Sequence, residues 1–184
     1  MPNPIDTFFD SDIANNAIVL GPFTPVDGQL LVVLSASWGT GNPTGAPTGG
    51  SQTYTPEVTA APGGFNGYAR IDSAVVSGSP GSMSVTVPAP TGSTRHSASL
   101  LRYPAGCLPG AVNATINGAG APSANVTTGA DDSGIAQVSA DVSSVDPATR
   151  VYRNSATEIG ILDGHVGSNS VQYHAYVPDI GAAG

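Results

Sequence analysis

The sequence predicts an all-β protein: an antiparallel β-sandwich, jelly-roll or Ig-like, of about 8–10 strands joined by long Gly/Pro-rich loops. Three observations predict it. Apolar residues recur at alternate positions in runs of strand length, those runs are bounded by turn-forming clusters, and helical periodicity is nearly absent.

The first dozen residues, "MPNPIDTFFDSD", stand apart from this pattern and read as an N-terminal arm over 1–13, with Phe8 and Phe9 packing on its own sandwich or on a neighbour. The sandwich domain is expected over 14–177 and a C-terminal tail over 178–184. Its first strand is "NNAIVLGPF" (15–23). Next comes "GQLLVVLSASW", where Leu31 and Val33 are as apolar as Leu30, Val32 and Leu34, so both faces are covered for half its length. It should be the central strand. After the Gly/Pro-rich stretch 39–50 come "QTYTPEVTA" (52–60) and "GYARIDSAVV" (67–76). The cleanest alternation is "SMSVTVPAP", which sets Met83, Val85 and Val87 against Ser82, Ser84 and Thr86. Further strands are expected at 96–103, 111–118, 133–142, 157–164 and 170–177. The segment 142–154 has helical spacing but contains Pro147, and reads as a turn.

Composition narrows the function. The chain of 184 residues has no lysine, five arginines and a formal charge of -8. That balance disfavours sequence-independent nucleic-acid binding, which rests on neutralising phosphates, and docking on anionic lipid. A hydrophobic content of 40% in strand-sized runs argues for a folded core. No apolar run approaches the roughly 20 residues that span a bilayer, and the start lacks the basic and apolar regions of a signal peptide. The expectation is synthesis in a cytoplasm without export. Cys107, the one cysteine, can form no internal disulfide and reads as a small buried hydrophobe.

Each stretch that suggests chemistry fails on spacing or context. In "GTGNPTG" the glycines Gly39, Gly41 and Gly45 leave three residues in the last gap where a dinucleotide fingerprint needs two. Pro43 and Pro47 block a following helix, and without lysine there is no Walker lysine. These glycines read as surface backbone freedom, and deletion of Gly41–Gly49 is expected to leave the fold intact. There is no G-x-S-x-G elbow, and His96, His165 and His174 read as surface histidines, His174 on the polar face of "SVQYHAYV" with Gln172 and Tyr176. Asp10, Asp12, Asp131 and Asp132 suit turns better than calcium, and Glu57 and Glu158 have nothing to pair them as a glycosidase acid and base. No catalytic residue, cofactor or metal is expected. The sequons at Asn113 and Asn125 follow from an abundance of threonine. Trp38, Tyr54, Phe65 and Tyr68 could form a sugar-stacking platform, although a domain with 6% aromatics needs them for its core. With Phe8 and Phe9 they make up the candidate contact residues.

The order of features resembles a β-sandwich module of virion proteins, especially minor tail proteins, from tailed phages of actinobacteria. The resemblance is carried by the F-x-P-x-x-G opening (Phe23, Pro25, Gly28), the two-sided strand Leu30–Leu34, the alternating "SMSVTVPAP" and the "ASLLRY" strand that follows. It covers roughly residues 17–177 and is concentrated in Phe23–Tyr103. Two departures stand out: a last apolar closing strand is missing or supplied by another copy, and the module stands alone with an acidic arm. The resemblance implies no catalytic residues. It implies a non-enzymatic structural protein located in the virion, most simply a minor tail or tail-tip protein. Its partners would be other virion proteins and copies of itself, with host cell-surface glycan as a further partner and neither nucleic acid nor membrane. A capsid decoration protein is the alternative within that class, a carbohydrate-binding module for host cell-wall glycan a second, and a glycan hydrolase a third. The tail 178–184 is expected to order only by adding a strand to a neighbour.

Overall fold

The computed structural model describes residues 4–14, 16–39, 45–61, 67–114, 134–141, 157–163 and 171–178. They contain ten strands: β1 (Asp6–Asp12), β2 (Ile18–Phe23), β3 (Gln29–Gly39), β4 (Thr55–Ala60), β5 (Tyr68–Val75), β6 (Met83–Val87), β7 (Ser93–Ala105), β8 (Gly134–Asp141), β9 (Thr157–Asp163) and β10 (Val171–Pro178). No helix occurs among the described residues. The strands pair antiparallel in a five-stranded sheet of order β1-β7-β3-β5-β4, a three-stranded sheet β8-β10-β9 and a two-stranded sheet β2-β6. The chain is an antiparallel β-sandwich whose large sheet is covered on both faces.

Strand β3 holds the centre because its side chains serve two cores. Leu31 and Val33 pack with Ile18 and Leu20 of β2 and with Val85 and Val87 of β6. Leu30, Val32 and Leu34 point the other way, onto Leu101, Tyr103 and Cys107, with Ala136, Val138, Ile159 and Tyr176 closing that core from the three-stranded sheet. Burying each such aliphatic side chain stabilises by about 1.5–3 kcal/mol, so the uninterrupted run "LLVVL" anchors both layers at once. Cys107 is free and buried, a small apolar member of the second core. In β6 the alternation is regular: Met83, Val85 and Val87 are buried, while Ser84 and Thr86 are half-buried.

The N-terminal segment read as an arm contributes β1, an edge strand paired with β7 from Asp6↔Arg102 to Asp12↔His96. Adjacent residues of a strand point to opposite faces. Phe8 therefore enters the first core, its ring 5.5 Å from that of Phe23, whereas Phe9 meets the three-stranded sheet, edge-on to His174 at 5.4 Å. Asp6 forms an ion pair with Arg102, which lies over the Phe23 ring at 5.8 Å and donates to the Thr24 carbonyl at 2.9 Å.

The opposite edge, β4, carries Pro56 and a register shift between Pro56 and Val58, two features that blunt a sheet edge. The Gly/Pro-rich stretch departs from expectation at its end. Thr48 and Thr86 exchange backbone hydrogen bonds at 2.9 and 2.8 Å, and a side chain at Gly49 (φ 154°) would strike the Ser84 carbonyl. Gly49 is thus required for close approach to β6, and a deletion running through residue 49 would remove this docking rather than a free loop. Residues 40–44 lie outside the described residues, as do 115–118, the helical-spaced 142–154 and the tail beyond Pro178. Over 111–114 the expected strand does not form.

Candidate functional site

Strand β3 changes character at Ser35, and the whole central sheet changes with it. On the face that carries Leu31 and Val33, the next positions are Ser35 and Ser37, paired across to Arg70 and Tyr68 of β5 and to Ala98 and His96 of β7. Ser35, Ser37, Tyr68, Arg70, Asp72 and His96 are all buried. One end of the sheet is therefore polar inside, where buried polar groups call for partners within the protein; Ser37 Oγ and Arg70 Nε have none.

Arg70 and Asp72, two residues apart and so on one face of β5, form a buried ion pair. Burial pushes the Asp72 carboxyl up, with the Arg70 hydrogen bond and charge pulling against it. Burial raises the Tyr68 hydroxyl to about 12, opposed by the neighbouring Ser35 and Ser37 side chains and by the Arg70 charge. His96 donates from Nε2 to the Asn16 carbonyl; burial lowers its pKa, opposed by that bond and by Asp12 and Asp10. Asp12 in turn accepts from the backbone N–H of Ala14 at 2.7 Å and of Asn16 at 2.8 Å, and its carboxyl is held low mainly by Asn16. Breaking the buried Arg70–Asp72 pair by removing one partner costs about 3–5 kcal/mol in comparable settings, because the other charge is left uncompensated. This cluster is a charge-balanced interior.

The other face of the same end holds a second cluster, built from β7 and β10. The Ser97 hydroxyl lies 2.5 Å from Gln172 Oε1 and 2.8 Å from His174 Nε2, and Gln172 Nε2 donates to the Arg95 carbonyl at 3.3 Å. Because the Gln172 amide nitrogen is engaged by Arg95, its oxygen accepts from the Ser97 hydroxyl. Ser97 Oγ then accepts from His174 Nε2–H. His174 Nδ1 is buried without a hydrogen-bond partner, and burial lowers the imidazole pKa to about 3, so the ring is neutral. Gly160 of β9 pairs with His174, and a side chain there would overlap the Phe9 ring; its absence lets Phe9 close over the histidine.

The histidines thus differ from expectation. His174 and His96 are 0% and 1% exposed, and the Gln172–His174–Tyr176 face of β10 is the one turned towards the central sheet. His165 lies outside the described residues. The hydroxyl, amide and imidazole of Ser97, Gln172 and His174 are in contact but sealed: each residue is at most 1% exposed, so no external substrate reaches Ser97 in this state.

The candidate contact residues are scattered. Tyr54 is buried in the first core and Tyr68 among the serines of the polar end. Trp38 is half-buried on the Leu34 side of the sheet, opposite the Tyr68 side, and Phe65 lies outside the described residues. Trp38, Tyr54 and Tyr68 do not share one surface. What the sequence reading missed was available as i, i+2 pairs, Arg70 with Asp72 and Gln172 with His174, which in a strand place two polar side chains on one face. Asp10 and Asp12 do not form a metal-type group, and no cluster of three His, Cys, Asp or Glu side chains occurs among the described residues. Comparison with protein-family models, with curated proteins and with solved structures gave no match in any of the three.

Proposed function

We propose that the chain is a non-enzymatic structural protein of a tailed-phage virion, a minor tail or tail-tip protein that works by packing against other virion subunits. The observation that carries the reading is the end of the molecule opposite the polar cluster. There Gly28 bonds Val76 and Gly106, joining the ends of β3, β5 and β7, and Ile5, Val26, Val75 and Leu108 stand 47%, 55%, 43% and 70% exposed around it. Among the described residues the other exposed large aliphatics are Ile13, Val19 and Val112, and the four at this end suit contact with another protein. In a chain with 10% charged residues, few ions need desolvating when that surface is covered. The described residues of the Phe23–Tyr103 stretch that resembles the phage module run from the end of β2 into β7 and include the central strand β3.

Mass spectrometry of separately purified heads and tails tests the proposal. The chain is expected in the tail fraction. Recovery only with heads would replace the tail reading by capsid decoration, and absence from both would overturn the virion assignment.

A further inference from the structure

The Ser97–Gln172–His174 cluster joins two strands that belong to different sheets, and its chemistry extends beyond hydrogen bonding. A hydroxyl nucleophile, a carboxamide electrophile and an imidazole base lie in contact in a site closed to water. We propose that Ser97 and Gln172 form an intramolecular ester cross-link between β7 and β10, with His174 as the proton carrier.

The geometry suits the reaction. Gln172 Oε1 is 2.5 Å from Ser97 Oγ. The amide carbon lies one carbonyl bond of about 1.23 Å beyond that oxygen and so within about 3.7 Å of the hydroxyl, at the edge of near-attack range. His174 Nε2 is 2.8 Å from the same oxygen. The reaction proceeds from the other tautomer: the imidazole proton moves from Nε2 to Nδ1, which makes no hydrogen bond in this structure, and the Ser97 hydroxyl turns from Gln172 Oε1 to the Nε2 lone pair. In the step itself, Ser97 Oγ bonds to Cδ of Gln172 as His174 Nε2 takes the hydroxyl proton. The tetrahedral oxyanion that forms beside the ring favours the imidazolium. His174 then returns the proton to the departing nitrogen, the C–N bond breaks, and ammonia leaves. The product is Ser97 Oγ–C(=O)–Gln172, with no oxidant or other reactant consumed.

Burial serves the product as well. Ser97, Gln172 and His174 are 0%, 1% and 0% exposed, so water that would hydrolyse an ester is kept away. Phe9, edge-on to His174 and seated over Gly160, closes the site from the β1 side. Both cross-linked strands are already fixed by their own sheets, so the reacting atoms are held together without further ordering.

Intact-mass measurement of the denatured full-length chain tests the proposal. The expected mass is lower than that of the sequence by one ammonia, about 17 Da. Trypsin cuts after Arg95, Arg102 and Arg153, so the digest should contain peptide 96–102 joined to peptide 154–184. Hydroxylamine applied to the denatured digest should separate the two. Ser97→Ala should have the full mass expected of its sequence and give the peptides unjoined. A wild-type chain of full sequence mass overturns the proposal, as does an ammonia loss with peptides 96–102 and 154–184 recovered separately. The wild-type digest decides the matter even where Ser97→Ala fails to fold.

Discussion

His174 can take up no second ring proton where it sits without placing a charge in an interior closed to water. Desolvation lowers its pKa to about 3, whereas an exposed histidine titrates near 6.5. The unfolded chain therefore takes up a proton below about pH 6.5 that the folded chain refuses. Stability from this residue is complete above that pH and falls as the pH drops, by roughly 1.4 kcal/mol per pH unit, until the folded value is reached. His96 acts in the same direction, while Asp72, raised by burial, acts in the opposite one. A comparison with His174→Gln separates the contributions. Urea unfolding at pH 7 and pH 5 is expected to show wild type losing about 2 kcal/mol more than the variant. Equal losses would mean that His174 is accessible to protons in the folded chain. The same contrast of burial governs the ion pairs: Arg70–Asp72 has side-chain exposures of 10% and 1%, whereas Asp6 in the Arg102 pair is 37% exposed and contributes at most about 1 kcal/mol.

Strand β1 shows what an element gains from tertiary context that its own pattern does not announce. In "DTFFDSD" the two phenylalanines are adjacent, so no alternation of apolar and polar residues appears; the strand forms because Phe8 and Phe9 supply one anchor to each layer flanking the central sheet. The reverse error occurs in β10, where Gln172 and His174 look like a wet face and are turned inward, because Ser97 on the facing strand offers them partners. By contrast β3, β5, β6 and β7 were legible, since their apolar halves alternate or run unbroken and their ends carry turn residues such as Asp27-Gly28 and Pro80-Gly81. Pattern reading assigns polar residues to water by default, and fails where two polar strands face each other. Gly160 is a further case: nothing in "TEIGILD" announces that its hydrogen faces a phenylalanine from the other end of the chain. Gly160→Ala is expected to destabilise by about 1–3 kcal/mol through overlap with Phe9. In a Phe9→Ala background the same substitution should cost almost nothing, because the overlapping ring is gone. Chemical denaturation of the four proteins of this cycle measures the coupling, and additive effects would show that the Gly160–Phe9 contact is not formed.

Across the whole molecule, stability should be graded outward from β3 and β7. These strands are paired on both sides, and residues 31–37 of β3 are buried along their full length, with sheets above and below. β1 and β4 each have one paired neighbour, and β4 has exposed or half-buried residues throughout. Opening an edge strand breaks one ladder and exposes a limited apolar area, whereas freeing an amide of β3 requires both cores to come apart. Native-state hydrogen exchange is therefore expected to place amides of residues 31–36 and 98–101 at the free energy of global unfolding. Those of β4 should exchange through a smaller opening, with β1 between the two because Phe8 and Phe9 hold it to both layers. Adding low concentrations of denaturant discriminates the routes: exchange in β4 should be nearly insensitive to denaturant, and exchange in β3 should follow the full unfolding slope. Identical protection and slope across β1, β3 and β4 would mean that the layers unfold as one unit, with the doubly covered centre no more stable than its edges.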